Sequence, residues 1–167
     1  MSGENPYAPP DSDLAVSEGV QLASRGLRLA GAMIDGIIAM LVMWPMAYVT
    51  GYWEKAMVEE QTVADTLLLG GIGFVTFLVL NGYLLANHGQ TIGKRLVKTR
   101  IVSVHDEKPL PFGKLISLRY VPVWVVSQVP VLGQIINLVN VLFIFRADRR
   151  CIHDHIAGTK VITAGAT

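Results

Sequence analysis

Apolar residues run almost unbroken from Arg28 to Tyr48 and again from Thr66 to Ala86, and a third time from Tyr120 to Phe145, where 26 residues pass without a charge. A helix needs about 20 apolar residues to cross the hydrocarbon core of a bilayer. The first two stretches meet that length and predict transmembrane helices. The third contains Pro122, Pro130 and Gly133, which interrupt a helix by removing a donor or loosening the backbone. It predicts a helical hairpin, with arms of roughly Phe112 to Gln128 and Val131 to Phe145 turning at Val129-Pro130. Each arm is shorter than a full span, so the pair is either two thin crossings or a re-entrant element. Alternation from Leu96 to Val104 predicts a short strand, followed by a turn at Asp106 to Pro109. The stretch Thr159 to Ile162 is a candidate partner strand.

The polar stretches fix the orientation. The chain has 14 Lys and Arg residues. Only Lys55 lies in the loop from Gly51 to Asp65, which also holds Glu54, Glu59 and Glu60. Lys94, Arg95, Lys98 and Arg100 crowd the exit of the second span, and Arg146, Arg149, Arg150 and Lys160 follow the third apolar region. Cytoplasmic flanks carry the excess of cations, so an even number of crossings separates these two basic groups. Trp44, Tyr48, Tyr52 and Trp53 mark the opposite interface, where aromatic rings settle at headgroup level. The predicted fold class is an all-α integral membrane protein. It has two transmembrane helices plus a short Pro-broken helical hairpin, four segments in all. Both termini are cytoplasmic, with a small cytoplasmic β element. The domain spans residues 22–163, between a polar, Pro-containing disordered tail at 1–21 and a short tail at 164–167.

Composition agrees: 51% of residues are hydrophobic and 16% charged, against about 25% charged in soluble domains. Residues 1–24 carry Glu4, Asp11, Asp13 and Glu18 but no basic, apolar start, so no secretory signal is expected. The single cysteine, Cys151, forbids an internal disulfide and suits a reducing cytoplasmic face.

Asp35 is the most unusual residue, an acid seven positions after Arg28 inside the first apolar segment. An ionisable side chain in hydrocarbon is costly and is a functional-site candidate by default. Two helical turns separate it from Arg28, about 10 Å along the axis, so each side chain needs its own partner. Arg119 falls in the first arm of the hairpin and must face protein, water or headgroups. Gln134, Asn137 and Asn140 in the second arm are either interhelical glue or part of a polar pathway, glue being the more frequent use of such amides. Lys94, Arg95, Lys98 and Arg100 are expected to contact anionic lipid headgroups.

Other signals are discounted. Cys151, His153 and His155 alternate as on one side of a strand, but no second metal-binding motif accompanies them, and no metal or other cofactor is expected. Gly89 to Lys94 lacks the spacing of a phosphate loop. No nucleophile–base arrangement points to an enzyme. The small basic face beside the membrane suits lipid rather than nucleic acid.

The ordered motifs resemble the RDD family of bacterial membrane proteins. They are Arg28-Leu-Ala with Ile34-Asp35 in the first helix, Gly89-Gln-Thr91-Ile-Gly93-Lys94-Arg95-Leu, the Arg119 segment, and Ile152-His-Asp154-His155-Ile-Ala-Gly158-Thr159-Lys-Val. The resemblance covers about residues 22–163, and Arg28, Asp35 and Asp154 match the arginine and two aspartates that name the family. His155 departs from the usual basic residue. The resemblance implies a bacterial inner-membrane, multi-pass protein of unsettled role, for which transport of an unidentified ion or small ligand, including cation/proton exchange, has been suggested. A buried carboxylate that alternates between a proton and a cation supplies the minimum chemistry of an exchanger. With four short segments, a pathway requires a homo-oligomer, for which Ala32, Gly36, Gly70, Gly71 and Gly73 offer close helix contacts. The alternative is a non-transporting scaffold or partner subunit in which Arg28, Asp35 and Asp154 are structural ties. In either case Asp154 is expected to clasp Arg28, Arg95 or Arg119 and hold the tail against the membrane.

Overall fold

The structure is a computed structural model that describes residues 21–164; the two expected tails lie almost wholly outside that range. Helix α1 (Arg25–Val49) begins where the Ser24 hydroxyl accepts the Leu27 N–H, satisfying one orphan donor of the first turn, and it continues through Pro45. It therefore starts a turn earlier than the apolar run suggests, because Arg25 and Arg28 are both helical. The acidic loop contains a short helix α2 (Tyr52–Met57), absent from the sequence reading. Helix α3 (Val63–His88) opens with a reciprocal Thr62–Asp65 capping box, and Lys55 reaches the same carboxylate at 2.5 Å. It ends at Gly89, whose φ of +63° closes the helix while a Cβ there would strike the Ile101 carbonyl. Among the described residues, helices α1 and α3 are the two long and apolar enough to cross a membrane. Their 25 and 26 residues give about 38 Å each at 1.5 Å per residue.

A short helix α4 (Ile92–Leu96) follows and lies across α1. Strand β1 (Thr99–Ser103) is shorter than the alternation predicts, because Lys98 takes φ +52° and breaks the extended run before it. The third apolar region folds as two helical arms, as its prolines require. The first is α5 (Phe112–Leu115), a π-helical turn (Ile116–Tyr120) and α6 (Val121–Ser127); the second is α7 (Leu132–Leu142), ending in a 3₁₀ turn (Phe143–Phe145). The π turn ends two residues before Pro122, which has no N–H to return to that turn, so the regular ladder is already broken there. Helix α8 (Ile152–Ala157) and strand β2 (Thr159–Thr163) close the chain. β2 pairs antiparallel with β1, from Thr99 opposite Thr163 to Ser103 opposite Thr159. Ala23 donates to Val161, so the residues before α1 are tied to the same sheet.

The buried apolar cluster is Ala23, Leu85, Ile101, Leu110, Leu115 and Val161. It lies between the sheet, the end of α3 and the start of the hairpin. On the two long helices, by contrast, Met33, Ile37, Leu41, Trp44, Leu68, Val75, Val79 and Tyr83 are exposed. A compact cap with its own core therefore sits at one end of helices that display apolar side chains outward, the arrangement a bilayer solvates.

Candidate functional site

Where the cap meets the long helices, five charged residues converge. Asp154 enters at the N-terminal end of α8, where its carboxylate caps the backbone N–H of Cys151 at 3.0 Å. An acid in the first turn of a helix is favoured by the unsatisfied amides there. Gly158 ends the same helix with φ +64°. His153 and His155 therefore belong to a helix that Cys151 precedes as N-cap, rather than to a strand, which corrects the sequence reading and separates them: His155 turns out to Asp148 at 3.0 Å, while His153 turns in.

Asp154 is fully buried and accepts from four donors. Arg28 Nη2 approaches one carboxylate oxygen at 2.5 Å alongside the Cys151 amide. Arg119 and the Thr159 hydroxyl, the latter at 3.1 Å, hold the other oxygen. Arg119 also donates to Thr159 at 2.6 Å, and Arg28 donates to the Arg149 carbonyl. The expected clasp therefore exists with two of its three candidate arginines. Arg95 stays exposed. One acid between two arginines ties α1, the π turn and α8 together. Burial alone would raise the Asp154 pKa, but Arg119, His153 and Arg28 together hold it well below the ordinary carboxylate range.

His153 is pulled down to about 3, first by burial and then by the Arg119 charge. A neutral ring suits its partner: Asn140 Nδ2 meets His153 Nδ1 at 2.9 Å while Asn140 Oδ1 accepts the His153 backbone N–H at 3.2 Å. Asn140 is thus glue between α7 and α8. Asn137 borders an apolar groove beside it, and Gln134 lines a different groove. Potential ligand atoms of Cys151, His153 and Asp154 lie within 4.8 Å of one another. Both Asp154 oxygens, however, are engaged by guanidinium groups, and a cation there would face two arginines.

Asp35 has different partners. Its carboxylate accepts from the Thr91 hydroxyl at 2.5 Å and the Gly93 N–H at 2.7 Å, so an acid on α1 caps the start of α4. The approach is close enough that a Cβ on Gly93 would collide with the Gly31 carbonyl and the Asp35 carboxyl group. Asn81 on α3 completes the anchor by accepting the Ile92 N–H at 2.9 Å. None of Thr91, Gly93 or Asn81 was singled out as a partner from sequence. Lys94, expected at lipid headgroups, instead turns inward, with Nζ 4.0 Å from Asp35 and its side chain 16% exposed. Burial, reinforced by the Arg119 charge, lowers its pKa to about 8. Lys98 remains exposed like Arg95, and Arg100 is half-buried.

Asp35 also borders a small cavity of about 40 Å³ between α1 and α3. Ala39, Met43, Gly73 and Phe77 separate it from a larger groove of about 640 Å³ whose wall they share. That groove runs away from the cap toward Tyr52 and Thr66, and Trp124, Gln128 and Gln134 of the hairpin line it. Tyr120 lies in the same wall, with its hydroxyl buried beside the Arg119 guanidinium.

Two long outward-apolar helices carrying a compact cap, joined to it by a buried Arg–Asp–Arg cluster, define a membrane-type protein. The RDD family profile matches residues 22–158, and the chain belongs to the RDD family. It is similar to an uncharacterized protein of Haemophilus influenzae, 30% identical over 143 residues that cover 84% of this chain and 77% of the relative. No solved structure matches it.

Proposed function

We propose that this protein exchanges a monovalent cation for a proton across the bacterial inner membrane, with Asp35 and Lys94 as the coupling pair. It is a multi-pass protein with both termini in the cytoplasm, working as a homo-oligomer. The observation that carries the reading is that Asp35 borders a cavity between the two long helices while the Lys94 amine stands 4.0 Å from its carboxylate.

The charges favour this chemistry. Arg28, Arg119 and Lys94 face Asp35 and Asp154. Arginine keeps its proton at any ordinary pH, so of these three cations only the lysine can give one up. Its pKa near 8 places that release within physiological reach. In the exchange step Lys94 releases its proton and a cation takes its place beside Asp35. The reverse step restores the lysine, one proton against one monovalent cation, with the cluster's charge unchanged. Ala39, Met43, Gly73 and Phe77 stand between the groove and the cavity beside Asp35.

One observation favours the scaffold reading. The Thr91 and Gly93 bonds make Asp35 a structural anchor for α4 whether or not an ion ever visits. Proteoliposomes separate the two. Under a sodium or potassium gradient, wild-type protein should move protons, while Asp35→Asn should not, although its Oδ1 can still accept the Gly93 N–H. A scaffold gives no flux even as wild type. Equal flux from wild type and Asp35→Asn would exclude Asp35 as the coupling acid.

A further inference from the structure

Asn81 is 5% exposed toward the cap end of α3. A buried polar side chain in a membrane-type helix serves as a tie between helices or as part of an ion path. Its two ends are assigned by their partners. Nδ2 donates to the Phe77 carbonyl at 3.2 Å, and Oδ1 accepts the Ile92 N–H at 2.9 Å. A carbonyl only accepts and a backbone N–H only donates, so the amide has one orientation. Its oxygen therefore points to the start of α4.

Asp35 points to the same place from α1. Its Oδ1 accepts the Gly93 N–H at 2.7 Å, and that amide follows the one held by Asn81. Oxygens from α1 and α3 are thus held side by side on two successive amides. Both residues also line the cavity of about 40 Å³ between the long helices. On α3 the cavity follows Gly73, Thr76, Phe77, Leu80 and Asn81, one face at helical spacing.

The polar side chains in the cavity wall are Asp35, Thr76 and Asn81. A carboxylate has about four acceptor positions, and Thr91 and Gly93 occupy one each. A carbonyl oxygen has about two, and Ile92 occupies one on Asn81. The Asn81 nitrogen is turned back to Phe77, and Lys94 meets Asp35 from outside this lining. Spare oxygen acceptors around one carboxylate suit a single positive charge. The space exceeds the roughly 10–15 Å³ that one water needs.

We propose that Asp35 and Asn81 together ligate a monovalent cation in this cavity, with Thr76 holding a water on the ion. Thr76 lies about 7.5 Å back along α3, too far to share the ion directly. The site rests on the exchange reading for its purpose, and it supplies the second ligand beside Asp35.

Melting of the purified full chain in detergent tests this in sodium, potassium or choline chloride at equal concentration. Choline is too large for the cavity and controls for ionic strength. Wild type should melt higher with sodium or potassium than with choline, saturating as one site. Asp35→Asn should remove the difference. Asn81→Ala should raise the half-saturating concentration about tenfold, and Thr76→Val should raise it by less. A mere anchor for α4 predicts otherwise: Asn81→Ala lowers the midpoint in choline but leaves the half-saturating concentration at the wild-type value. That result, or no cation-dependent rise in wild type, would overturn the site. Should Asn81→Ala fail to fold, Asn81→Asp keeps an oxygen for the Ile92 N–H. Its added charge should lower the half-saturating concentration, and an unchanged value would equally count against the site. Cation binding without proton release removes the exchange and leaves the site. Proton release with the same cation dependence in Asn81→Ala as in wild type removes the site and leaves the exchange.

Discussion

Asp154 holds two arginines with one carboxylate, and removing any member leaves a buried charge without its partner. Such a loss typically costs about 3–5 kcal/mol. Arg119→Met and Asp154→Asn should therefore both lower the thermal midpoint sharply in detergent, as scanning calorimetry or a tryptophan-fluorescence melt can record. The geometry adds a sharper expectation. Exchanging Arg28 and Asp154 with each other should not restore stability, because Arg119 would then face an arginine at position 154. Rescue by that double swap would show that Arg119 contributes little. A clasp between Asp154 and an arginine was legible in the sequence, with Arg28 one of three choices. The Arg119 contact stood only as one of three choices, because the π turn before Pro122 rotates this part of the arm in a way no periodicity encodes. The partners of Asp35 were not legible. One is a backbone N–H, which leaves no mark on composition, and the other is a threonine 56 residues away.

Among the elements, α4 and α8 show how short helices carry the cap. Helix α4 is held where Gly93 meets Gly31, so Gly93→Ala should cost about 1–3 kcal/mol through overpacking and loosen the Asp35 contact. Hydrogen exchange of the Gly93 amide should rise accordingly. Helix α8 makes the cap sensitive to acid. Its His153 has a folded pKa of about 3 against an ordinary 6.5, so the neutral ring's contribution is complete above 6.5 and is lost as pH falls toward 3. Asp154 is also held low, so its contribution is complete above the ordinary 3.8 and is lost only in stronger acid. Stability should decline in two stages on acidification, and His153→Leu should flatten the first, measured as melting temperature against pH. The alternating Cys151, His153 and His155 misled the sequence reading here. The stronger local signals were an acid in the first turn and a glycine at the end, both helix-terminus chemistry.

At the scale of the whole molecule, the hydrophobic core and the hydrophobic surface are in different places. The core belongs to the cap, while the long helices turn Met33, Leu41 and Val79 outward. Runs of apolar residues revealed the helices and the broken hairpin because length and proline content alone determine them. They could not reveal the groove between α1, α3 and the hairpin, which depends on how the arms pack. Asp35 lies about 15 Å along α1 from its start and about 21 Å from its end, which places it at the cap end of the apolar layer, with the groove beyond it. Under the proposed topology, that position suits a gate at the cap side better than a site at mid-membrane. The central claim is that Asp35 and Lys94 trade a proton for a cation, and proton release on cation binding tests it most directly. Adding sodium or potassium chloride to purified protein in weakly buffered detergent near pH 7 should release about one proton per chain. The release should vanish in Asp35→Asn and Lys94→Met while both variants keep the Arg28–Asp154–Arg119 cluster and remain folded. Wild-type protein that releases no proton with either cation, or variants that release as much as wild type, would contradict the account.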